Sequence, residues 1–380
     1  MISFDLSEEQ KLLVQTAHKF AETEMRPNAA KFDESGEFPK DILRKAWETG
    51  LMGENVPTEF GGLGLSCLES CLIAEELYWG CAGIATSIVV NALALGPIVI
   101  GGNAEQKERF LRPFSEEFRL ASFALTEPAS GSDVATMRTT YRRDGDDFVI
   151  NGSKQWITNA GYADLYTVFA SADTSKGARA ISAFVVDAKT PGVIPGKKED
   201  KMGQRASDTR AVTFEEVRVP KANLLGQEGE GFKIAMKNLD KSRPGIGAAA
   251  VGVARAALDY ACQYSKERVT FGKTLSEHQG IQFMIADMAK SVAASRLLCW
   301  HSAWLNDQGL SNNKESAMAK CFASDTAMEV TTDAIQIYGG YGYSKEYPVE
   351  KLFRDAKLIQ IYEGANQIQR MVIAKNLLFK

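Results

Sequence analysis

The sequence is poor in the residues that build most metal centres. Its 380 residues include only three histidines (His18, His278 and His301) and six cysteines, with no CxxC pair and no His–Cys cluster. A zinc site is therefore not expected. There is no excess of basic residues either, since the net charge at pH 7 is −4. A nucleic-acid surface needs a basic stripe, so nucleic-acid binding is not expected.

Long apolar runs are also scarce. The run from Ile84 to Ile100 is short, rich in small residues and interrupted by Gly96 and Pro97, so it predicts a buried helix rather than membrane insertion. The residues after Met1 lack the basic region and the apolar core of a secretory signal. We expect a soluble protein of a reducing compartment, a bacterial cytoplasm or alternatively a mitochondrial matrix.

Three regions of different character follow one another along the chain. Residues 1–117 have helical apolar spacing, and Ser7 with Gln10 predicts a capping box. Residues 118–224 form short β-branched and aromatic runs, and the dipeptides Asp144-Gly145 and Asn151-Gly152 both predict hairpin turns. Residues 225–380 again show long apolar-striped helices, which pack as bundles. We predict an α+β fold with an N-terminal helical domain, a middle antiparallel β domain and a C-terminal four-helix bundle.

A single carboxylate near the C-terminus stands out by its surroundings. Glu363 follows the apolar and aromatic run Ile361-Tyr362 and precedes Gly364, after which a helical pattern resumes. A carboxylate held among apolar groups has a raised pKa, which suits a general base near neutral pH. An acidic residue is also favoured by the dipole at a helix N-terminus. This segment alone therefore fits either a general base or a helix cap.

Four further stretches combine glycines with hydroxyl, aromatic or basic residues. They are the small-residue loop 123–133, the segment 154–159, the basic segment 268–279 and the glycine-rich segment 336–342. A loop of small residues presents backbone N–H groups to a ligand, an indole can cover a planar ring, and arginine near glycine can meet phosphate oxygens. Taken alone, each also fits an ordinary turn, a core tryptophan, a solvated loop or a helix end.

Together and in this order, these stretches carry a specific resemblance. The motifs LTEPASGSD (125–133), WITN (156–159), RVTFGK (268–273), EHQ (277–279), QIYGG (336–340) and YEG (362–364) resemble the acyl-CoA dehydrogenase family over essentially the whole chain. MGQRASDTR (202–210), DKSRP (240–244) and YPVEKL (347–352) most resemble its medium-chain type. The resemblance implies an FAD-dependent enzyme that oxidises an acyl-CoA to the trans-2-enoyl-CoA, with Glu363 as the catalytic base.

The resemblance also implies which residues contact FAD. Those expected around the flavin ring are Phe123, Leu125, Thr126, Gly131, Ser132, Trp156, Ile157 and Thr158. Those expected at the adenosine and pyrophosphate are Arg268, Thr270, Phe271, His278, Gln279, Gln336, Ile337, Gly339 and Gly340, with Ala365, Asn366 and Gln367 as a further contact. In the family, part of this set comes from a neighbouring subunit, so a homotetramer is expected.

The acyl-CoA substrate is expected to meet a second set of residues. By resemblance these are Ser132, Asp240, Arg243, Tyr362 and Gly364. Some branches of the family carry the base just before the arginine that corresponds to Arg243. In this chain that residue is Ser242, which cannot do the work of a base, so Glu363 is the only matching residue.

Chain length, partner and direction are less constrained by the sequence. Val89 and Val90 stand where medium-chain members have a charged residue and a glycine, so we expect a reshaped pocket for a short- to medium-chain, straight acyl group. Electron-transferring flavoprotein is the expected acceptor, with docking candidates Leu63, Leu65, Leu68 and Leu72. An enoyl-CoA reductase of the same fold is an alternative, because the sequence does not show the flavin potential. A DNA-binding homologue would need an added basic C-terminal region, and this chain ends at Lys380 after an ordinary helix.

Overall fold

The computed structural model describes residues 5–379 and confirms the predicted α+β architecture of helices, then strands, then helices. The N-terminal α-helices are α1 (Glu8–Phe20), α2 (Ala29–Ser35), α3 (Lys40–Glu48), α4 (Cys67–Gly80), α5 (Ala82–Gly101) and α6 (Ala104–Glu116). The C-terminal α-helices are α7 (Gly231–Glu267), α8 (Gln279–Asp307), α9 (Asn313–Tyr338), α10 (Val349–Ile359) and α11 (Asn366–Leu378). We propose domains 1–117, 118–224 and 225–380, since α6 ends before the first boundary and α7 begins after the second.

The N-terminal helices begin where the sequence supplies a side-chain cap. Ser7, Ser66 and Asn103 each form a capping box at the start of α1, α4 and α6, and the predicted Ser7–Gln10 box is confirmed. Helix α5 is long and apolar enough to cross a membrane by length and composition alone, and 72% of its most apolar stretch is buried inside the fold. The helix thus occupies the protein core, as the small residues around Gly96 and Pro97 indicated.

One mixed sheet follows the helices. Its strands are β1 (Ala121–Ala124), β2 (Thr140–Asp144), β3 (Asp147–Thr158), β4 (Leu165–Ser171), β5 (Ile181–Asp187), β6 (Val193–Lys198), β7 (Thr209–Pro220) and β8 (Leu224–Leu225). The order is β6-β7-β3-β2-β4-β5-β8, and β1 pairs in parallel with β4. Most other pairs are antiparallel, and the predicted turn at Asp144-Gly145 joins β2 to β3. A separate hairpin consists of β9 (Val269–Thr270) and β10 (Lys273–Thr274).

The second predicted hairpin turn is wrong. Asn151 and Gly152 lie inside the continuous strand β3, which pairs with β7 along almost its whole length. The register shifts between Ile150 and Gly152, and opposite this bulge the Glu216 backbone has a φ of 48°. The Asn151 amide closes the bulge by donating to the Glu216 carboxylate and accepting from its N–H. Long-range pairing with β7 therefore outweighs the local turn preference of this dipeptide.

The C-terminal helices pack around α7. Helices α7, α8 and α9 pack pairwise, α4 lies along α7, and α10 and α11 pack against α9. Glycine permits the closest approach: a Cβ added at Gly252 of α7 would lie 2.2 Å from the Glu75 carbonyl of α4. The absence of a Cβ at Gly252 thus lets α7 pack closely against α4, between the two helical regions. Both α7 and α9 then run from the predicted catalytic segment to the β9–β10 hairpin.

Candidate active site

The predicted base lies in a backbone turn between two helices. Glu363 has a φ of 52° and Gly364 a φ of 92°, so two successive residues between α10 and α11 are left-handed. A left-handed conformation is unfavourable for a residue with a Cβ by roughly 1 kcal/mol, and such outliers concentrate at functional sites. The turn brings the Glu363 side chain to α7, where it is half-buried.

Helix α7 supplies the groups closest to this carboxylate. The Ser242 hydroxyl donates a hydrogen bond of 2.6 Å to Oε2 of Glu363. Next to it, Arg243 is buried and donates to the Asp240 carboxylate at 2.7 Å. Burial raises the pKa of the Glu363 carboxyl, whereas the Ser242 hydrogen bond and the charges of Arg243 and Lys320 act to lower that pKa. Ser242 and Arg243 therefore lie next to the Glu363 carboxylate, and Asp240 lies beside Arg243; the predicted contacts of Asp240 and Arg243 with acyl-CoA stay predictions.

A chain of polar side chains leads away from the catalytic segment into the core. The Tyr362 hydroxyl lies 3.3 Å from that of Tyr78 on α4, which lies 2.8 Å from the Thr86 hydroxyl on α5. Thr86 donates to Gln204 at 2.7 Å, and Gln204 donates through its amide to the Asp355 carbonyl at 3.1 Å. These bonds fix Tyr362 relative to two helices and to the β region. Neither Tyr78 nor Thr86 was singled out from the sequence, because hydroxyls in apolar helices carry no local signal.

The end of the sheet presents the expected flavin-ring residues. A register shift between Lys154 and Ile157 turns Trp156 out of β3 with a φ of 63°, and its side chain is 57% exposed. The N–H of Gln155 donates to the Thr126 carbonyl at 2.9 Å, so the loop after β1 and this bulge lie side by side. Behind them, the buried Lys154 bonds to the Glu127 carboxylate at 2.8 Å. An exposed indole beside Thr126 is thus held by a buried ion pair.

The expected adenosine and pyrophosphate residues gather elsewhere. A cavity of about 450 Å³ lies between the β9–β10 hairpin and the end of α9, and it is lined by Tyr264, Arg268, Thr270, Leu275, Ile337, Tyr338, Gly339, Gly340 and Tyr341. Thr270 approaches His278 at 3.4 Å, and the Arg268 guanidinium lies over the Tyr341 ring at 5.4 Å. Gln279 and Gln336 are exposed next to this cavity. This set lies at the opposite end of α7 and α9 from Glu363.

The residues at the end of the sheet and at the β9–β10 hairpin cavity fit the chemistry of a flavin dinucleotide. A Cβ added at Gly131, Gly339 or Gly340 would meet nothing within 4 Å, so there is open space at each of these glycines. Trp156 offers an exposed ring face, and Thr126 and Thr158 offer partly exposed polar groups. Arg268 offers an exposed cation for phosphate oxygens. Among residues 5–379 no group of three or more His, Cys, Asp or Glu side chains could hold a metal ion.

Several predicted contact residues point inward. Leu125, Ile157 and Ile337 are buried, so they can offer a ligand mainly backbone groups. The Asn366 amide is also buried and is bonded to Ser324 and Asp325 of α9. Phe123 is half-buried, whereas Ser132, Phe271 and Gln367 are exposed, and Ala365 and Tyr362 are half-buried. Of the docking candidates, Leu63 is 51% exposed, Leu65 and Leu68 are half-buried, and Leu72 lies in the core, which corrects that candidate.

The chain matches known protein families and relatives over nearly its whole length. Three family models match: the acyl-CoA dehydrogenase N-terminal domain at residues 7–117, the middle domain at 122–217 and the C-terminal domain at 229–378. The chain is 46% identical to the rat mitochondrial short-chain specific acyl-CoA dehydrogenase, over 99% of this chain and 92% of the relative. It is 44% identical to a probable mitochondrial medium-chain specific acyl-CoA dehydrogenase of Caenorhabditis briggsae, with the same coverage.

Solved structures of similar chains have the same fold. Butyryl-CoA dehydrogenase from Megasphaera elsdenii superposes with a TM-score of 0.97 at 43% identity, over 99% of this chain and 100% of that one. A chain described under the electron transferring flavoprotein of Acidaminococcus fermentans also gives 0.97, at 45% identity over 100% of both chains.

The fold and these matches therefore define a flavoenzyme of the acyl-CoA dehydrogenase type. The chain belongs to the acyl-CoA dehydrogenase family. It is an FAD-dependent oxidoreductase that acts on the CH–CH group of an acyl-CoA, as the motifs predicted.

Proposed function

We propose that Glu363 is the base that removes the α-proton of a short- to medium-chain, straight acyl-CoA, which leaves as the trans-2-enoyl-CoA. The main support is the placement of Glu363 in a left-handed turn, where its carboxyl is half-buried and has a raised pKa. Ser242 occupies the alternative position for a base and instead donates to Glu363. A carboxylate with a raised pKa is a stronger base for a weakly acidic α-proton.

Bound FAD would supply the hydride acceptor for the β-carbon of the substrate. The chain's own residues hold and cover that acceptor. We assign Trp156 and Thr158 to the ring and Thr126 to its pyrimidine edge. Phe123, Leu125, Gly131, Ser132 and Ile157 complete the wall of this part. The tie from Gln155 to the Thr126 carbonyl keeps the two sides of this wall together.

The thioester oxygen gains negative charge as the α-proton leaves, and hydrogen bonds to it lower the barrier. The backbone N–H of Glu363 is suited to donate one of them. The N–H of Tyr362 donates to Leu358 and that of Asn366 to Gln360, whereas among residues 5–379 the N–H of Glu363 has no acceptor. The left-handed turn thus leaves a free donor on the same residue as the base.

The acyl chain is assigned to a pocket beside α5. Val90 is buried and Val89 is half-buried on this helix, one turn after Thr86. Two branched apolar side chains at this place would favour short to medium straight acyl chains and would exclude water from the base. Ser132, Asp240, Arg243, Tyr362 and Gly364 are assigned to the rest of the acyl-CoA.

A second copy of the chain is assigned to the adenosine end of each FAD, within a homotetramer. Ser242 and Arg268 are separated by most of α7, on the order of 35–40 Å at 1.5 Å per residue. The hairpin also exposes Phe271, whose side chain is 98% exposed. We assign Arg268, Thr270, Phe271, His278, Gln279, Gln336, Ile337, Gly339 and Gly340 to the cofactor of a neighbouring copy, and Ala365, Asn366 and Gln367 to a further cofactor contact.

Electron-transferring flavoprotein is the proposed acceptor, with Leu63 as the exposed member of its docking patch. The structural similarity to a chain described with such a protein supports this partner. A bacterial cytoplasm, or a mitochondrial matrix, is the proposed compartment. All six cysteines are free, in keeping with a reducing environment.

Replacement Glu363→Gln tests the role of the base. We expect the variant to keep FAD and to bind acyl-CoA but to reduce its flavin several orders of magnitude more slowly, because an essential group is lost. Anaerobic stopped-flow bleaching with straight-chain substrates from butyryl- to dodecanoyl-CoA measures both rate and chain-length preference. Glu329→Gln, at an exposed glutamate of α9, is the matched control. Bleaching by Glu363→Gln at the wild-type rate would rule out this assignment.

A further inference from the structure

Three lysines are buried among residues 5–379, and one of them lacks a carboxylate partner. Lys154 is paired with Glu127 at 2.8 Å and Lys351 with Asp355 at 2.5 Å. Lys320 of α9 has no exposed surface, and no carboxylate of the described residues lies within ion-pair distance of it. A buried ammonium group is unfavourable unless its charge is compensated. The burial of the Lys320 ammonium group without a carboxylate partner therefore requires a physical explanation.

The Lys320 ammonium group contacts the turn that carries the base. Its Nζ donates to the Gly364 carbonyl at 2.9 Å and to Oδ1 of Asn366 at 2.9 Å. The same Gly364 carbonyl accepts a second bond of 2.9 Å from the buried Gln369 amide. Two donors on one carbonyl hold the peptide between Gly364 and Ala365, one residue after the base. Lys320 of α9 and Gln369 of α11 thus hold the left-handed Glu363–Gly364 turn through the Gly364 carbonyl.

Of the buried cations near Glu363, Lys320 is the one without a carboxylate partner among the described residues. From α7, Arg243 faces Glu363 but is paired with Asp240 at 2.7 Å. From α4 and its own segment, Glu363 is faced by the tyrosines Tyr78 and Tyr362, which are neutral at pH 7.

From α9, Asp325 lies near Lys320 but is bonded to Arg370 at 2.6 Å. Burial lowers the pKa of Lys320 to about 8, and among the groups that oppose this Glu363 has the largest effect. Lys320 is still mainly protonated at pH 7.

We propose that Lys320 is the positioning residue of the catalytic carboxylate, because it fixes the Glu363–Gly364 turn and places a buried positive charge behind the base. Lys320 acts on the reaction only if Glu363 is the base, as we have proposed. Its effect on the Glu363 carboxyl, however, exists whether or not that carboxyl takes the α-proton. A measurement on Glu363 itself therefore separates the two statements.

The test uses the FAD-loaded protein without substrate. Infrared difference spectra across a pH titration report the Glu363 carboxyl, which is assigned by its absence in Glu363→Gln. In Lys320→Met, which keeps the length of the side chain but not its charge, we expect Glu363 to titrate about one pH unit higher. Lys320→Gln keeps an amide donor without the charge, so we expect the same direction with a better-preserved turn. Lys233→Met removes an exposed lysine of α7 and should leave the titration unchanged.

Rapid flavin reduction by acyl-CoA provides the second readout. In Lys320→Met we expect the rate at pH 7 to fall about 10- to 100-fold with a smaller change in KM, because a displaced base affects chemistry more than binding. A purely structural lysine would lower the thermal midpoint and the FAD content but leave the Glu363 titration in place, and that result would overturn the proposal.

If Lys320→Met does not fold, an unshifted Glu363 titration in Lys320→Gln would overturn it equally. Normal turnover by Glu363→Gln would instead rule out Glu363 as the base. A shifted Glu363 titration in the Lys320 variants would still show that Lys320 acts on the Glu363 carboxyl.

Discussion

The two ends of the site are built in opposite ways. Around Glu363, the neighbouring polar groups come from α4, α5, α7, α9 and the β region of the same chain, and most are buried. At the β9–β10 hairpin, Phe271 is 98% exposed and nearby Tyr343 is 89% exposed. The polar groups around Glu363 therefore come from one chain and are mostly buried, whereas the hairpin end exposes aromatic side chains.

The hairpin shows the same contrast in its backbone. Phe271 and Gly272 both have positive φ values, 52° and 81°, as a two-residue hairpin turn requires. A phenylalanine is unfavourable both in this conformation and at full exposure, which supports the proposed contact of Phe271 with a neighbouring copy. Glu363 is strained as well, but its strain is opposed by contacts within the chain. We infer from this difference that backbone strain at Glu363 serves the proposed chemistry, whereas backbone strain at Phe271 serves the proposed assembly.

Among the variants that keep Glu363, the largest expected loss of activity comes from crowding the Glu363–Gly364 turn. In Gly364→Ala, the new Cβ would lie 2.4 Å from Nε2 of Gln369, at a φ of 92°. We expect kcat/KM to fall about 100-fold or more, since displacing a catalytic group by about 1 Å has that effect. Gly309→Ala is the control, because Gly309 also has a positive φ but nothing within 4 Å of an added Cβ. Equal activity of both variants would contradict a fixed turn.

The hairpin end should respond through assembly rather than chemistry. Phe271→Asp removes the exposed ring, yet aspartate tolerates a positive φ better than phenylalanine, so the hairpin itself is not weakened. We expect the subunit dissociation constant to rise roughly 30-fold, the effect of losing an aromatic anchor worth about 2 kcal/mol. Sedimentation over a range of concentrations and the ratio of FAD to protein measure this. Leu12→Asp changes an apolar side chain of α1 that is 64% exposed, and it should assemble normally.

The hydrogen bond from Ser242 should change the pH dependence more than the maximal rate. Ser242 favours the charged form of Glu363, so Ser242→Ala raises the pKa of Glu363 further above its ordinary value. The rate of flavin reduction should then rise with pH along a curve displaced upward by about one pH unit, from the loss of a bond to a charged group. Ser276→Ala, in the short 3-10 helix Leu275–Glu277 before α8, is the control. A curve that does not move would show that Ser242 leaves the base unaffected.

Glu54 provides a buried acid outside the site, with no expected effect on activity. Its Oε2 has no hydrogen-bond partner among the described residues, and burial raises its pKa from 4.5 to about 7. The unfolded chain loses this proton near pH 4.5, so the folded state is favoured at low pH and loses that advantage as pH rises from about 4.5 to 7. Glu54→Gln should therefore raise Tm by a few degrees at pH 8 but not at pH 4.5, equivalent to at most about 3 kcal/mol. If Glu54→Gln changed Tm equally at pH 8 and at pH 4.5, the pKa of Glu54 would not be raised in the folded state.

Much of the fold could be predicted because the signals are local. The Ser7–Gln10 capping box, the Asp144-Gly145 turn and the end of α9 before Gly339 each depend on a few adjacent residues. The Asn151-Gly152 turn was mispredicted for the opposite reason, since pairing with β7 is a contact between distant residues. Lys320 escaped prediction because a lysine in a helix is normally on its exposed face.

The sequence by itself determined the order of helices and strands, the family motifs and the identity of the carboxylate at Glu363. Only the tertiary structure decided that this carboxylate meets Ser242 of α7 and has Lys320 of α9 behind its turn. The reason is physical: helix and turn preferences act between neighbours in the chain. Burial, a raised pKa and the bond from Lys320 to the Gly364 carbonyl arise only when segments distant in the sequence pack together, 121 residues apart for Ser242 and Glu363 and 44 for Lys320 and Gly364.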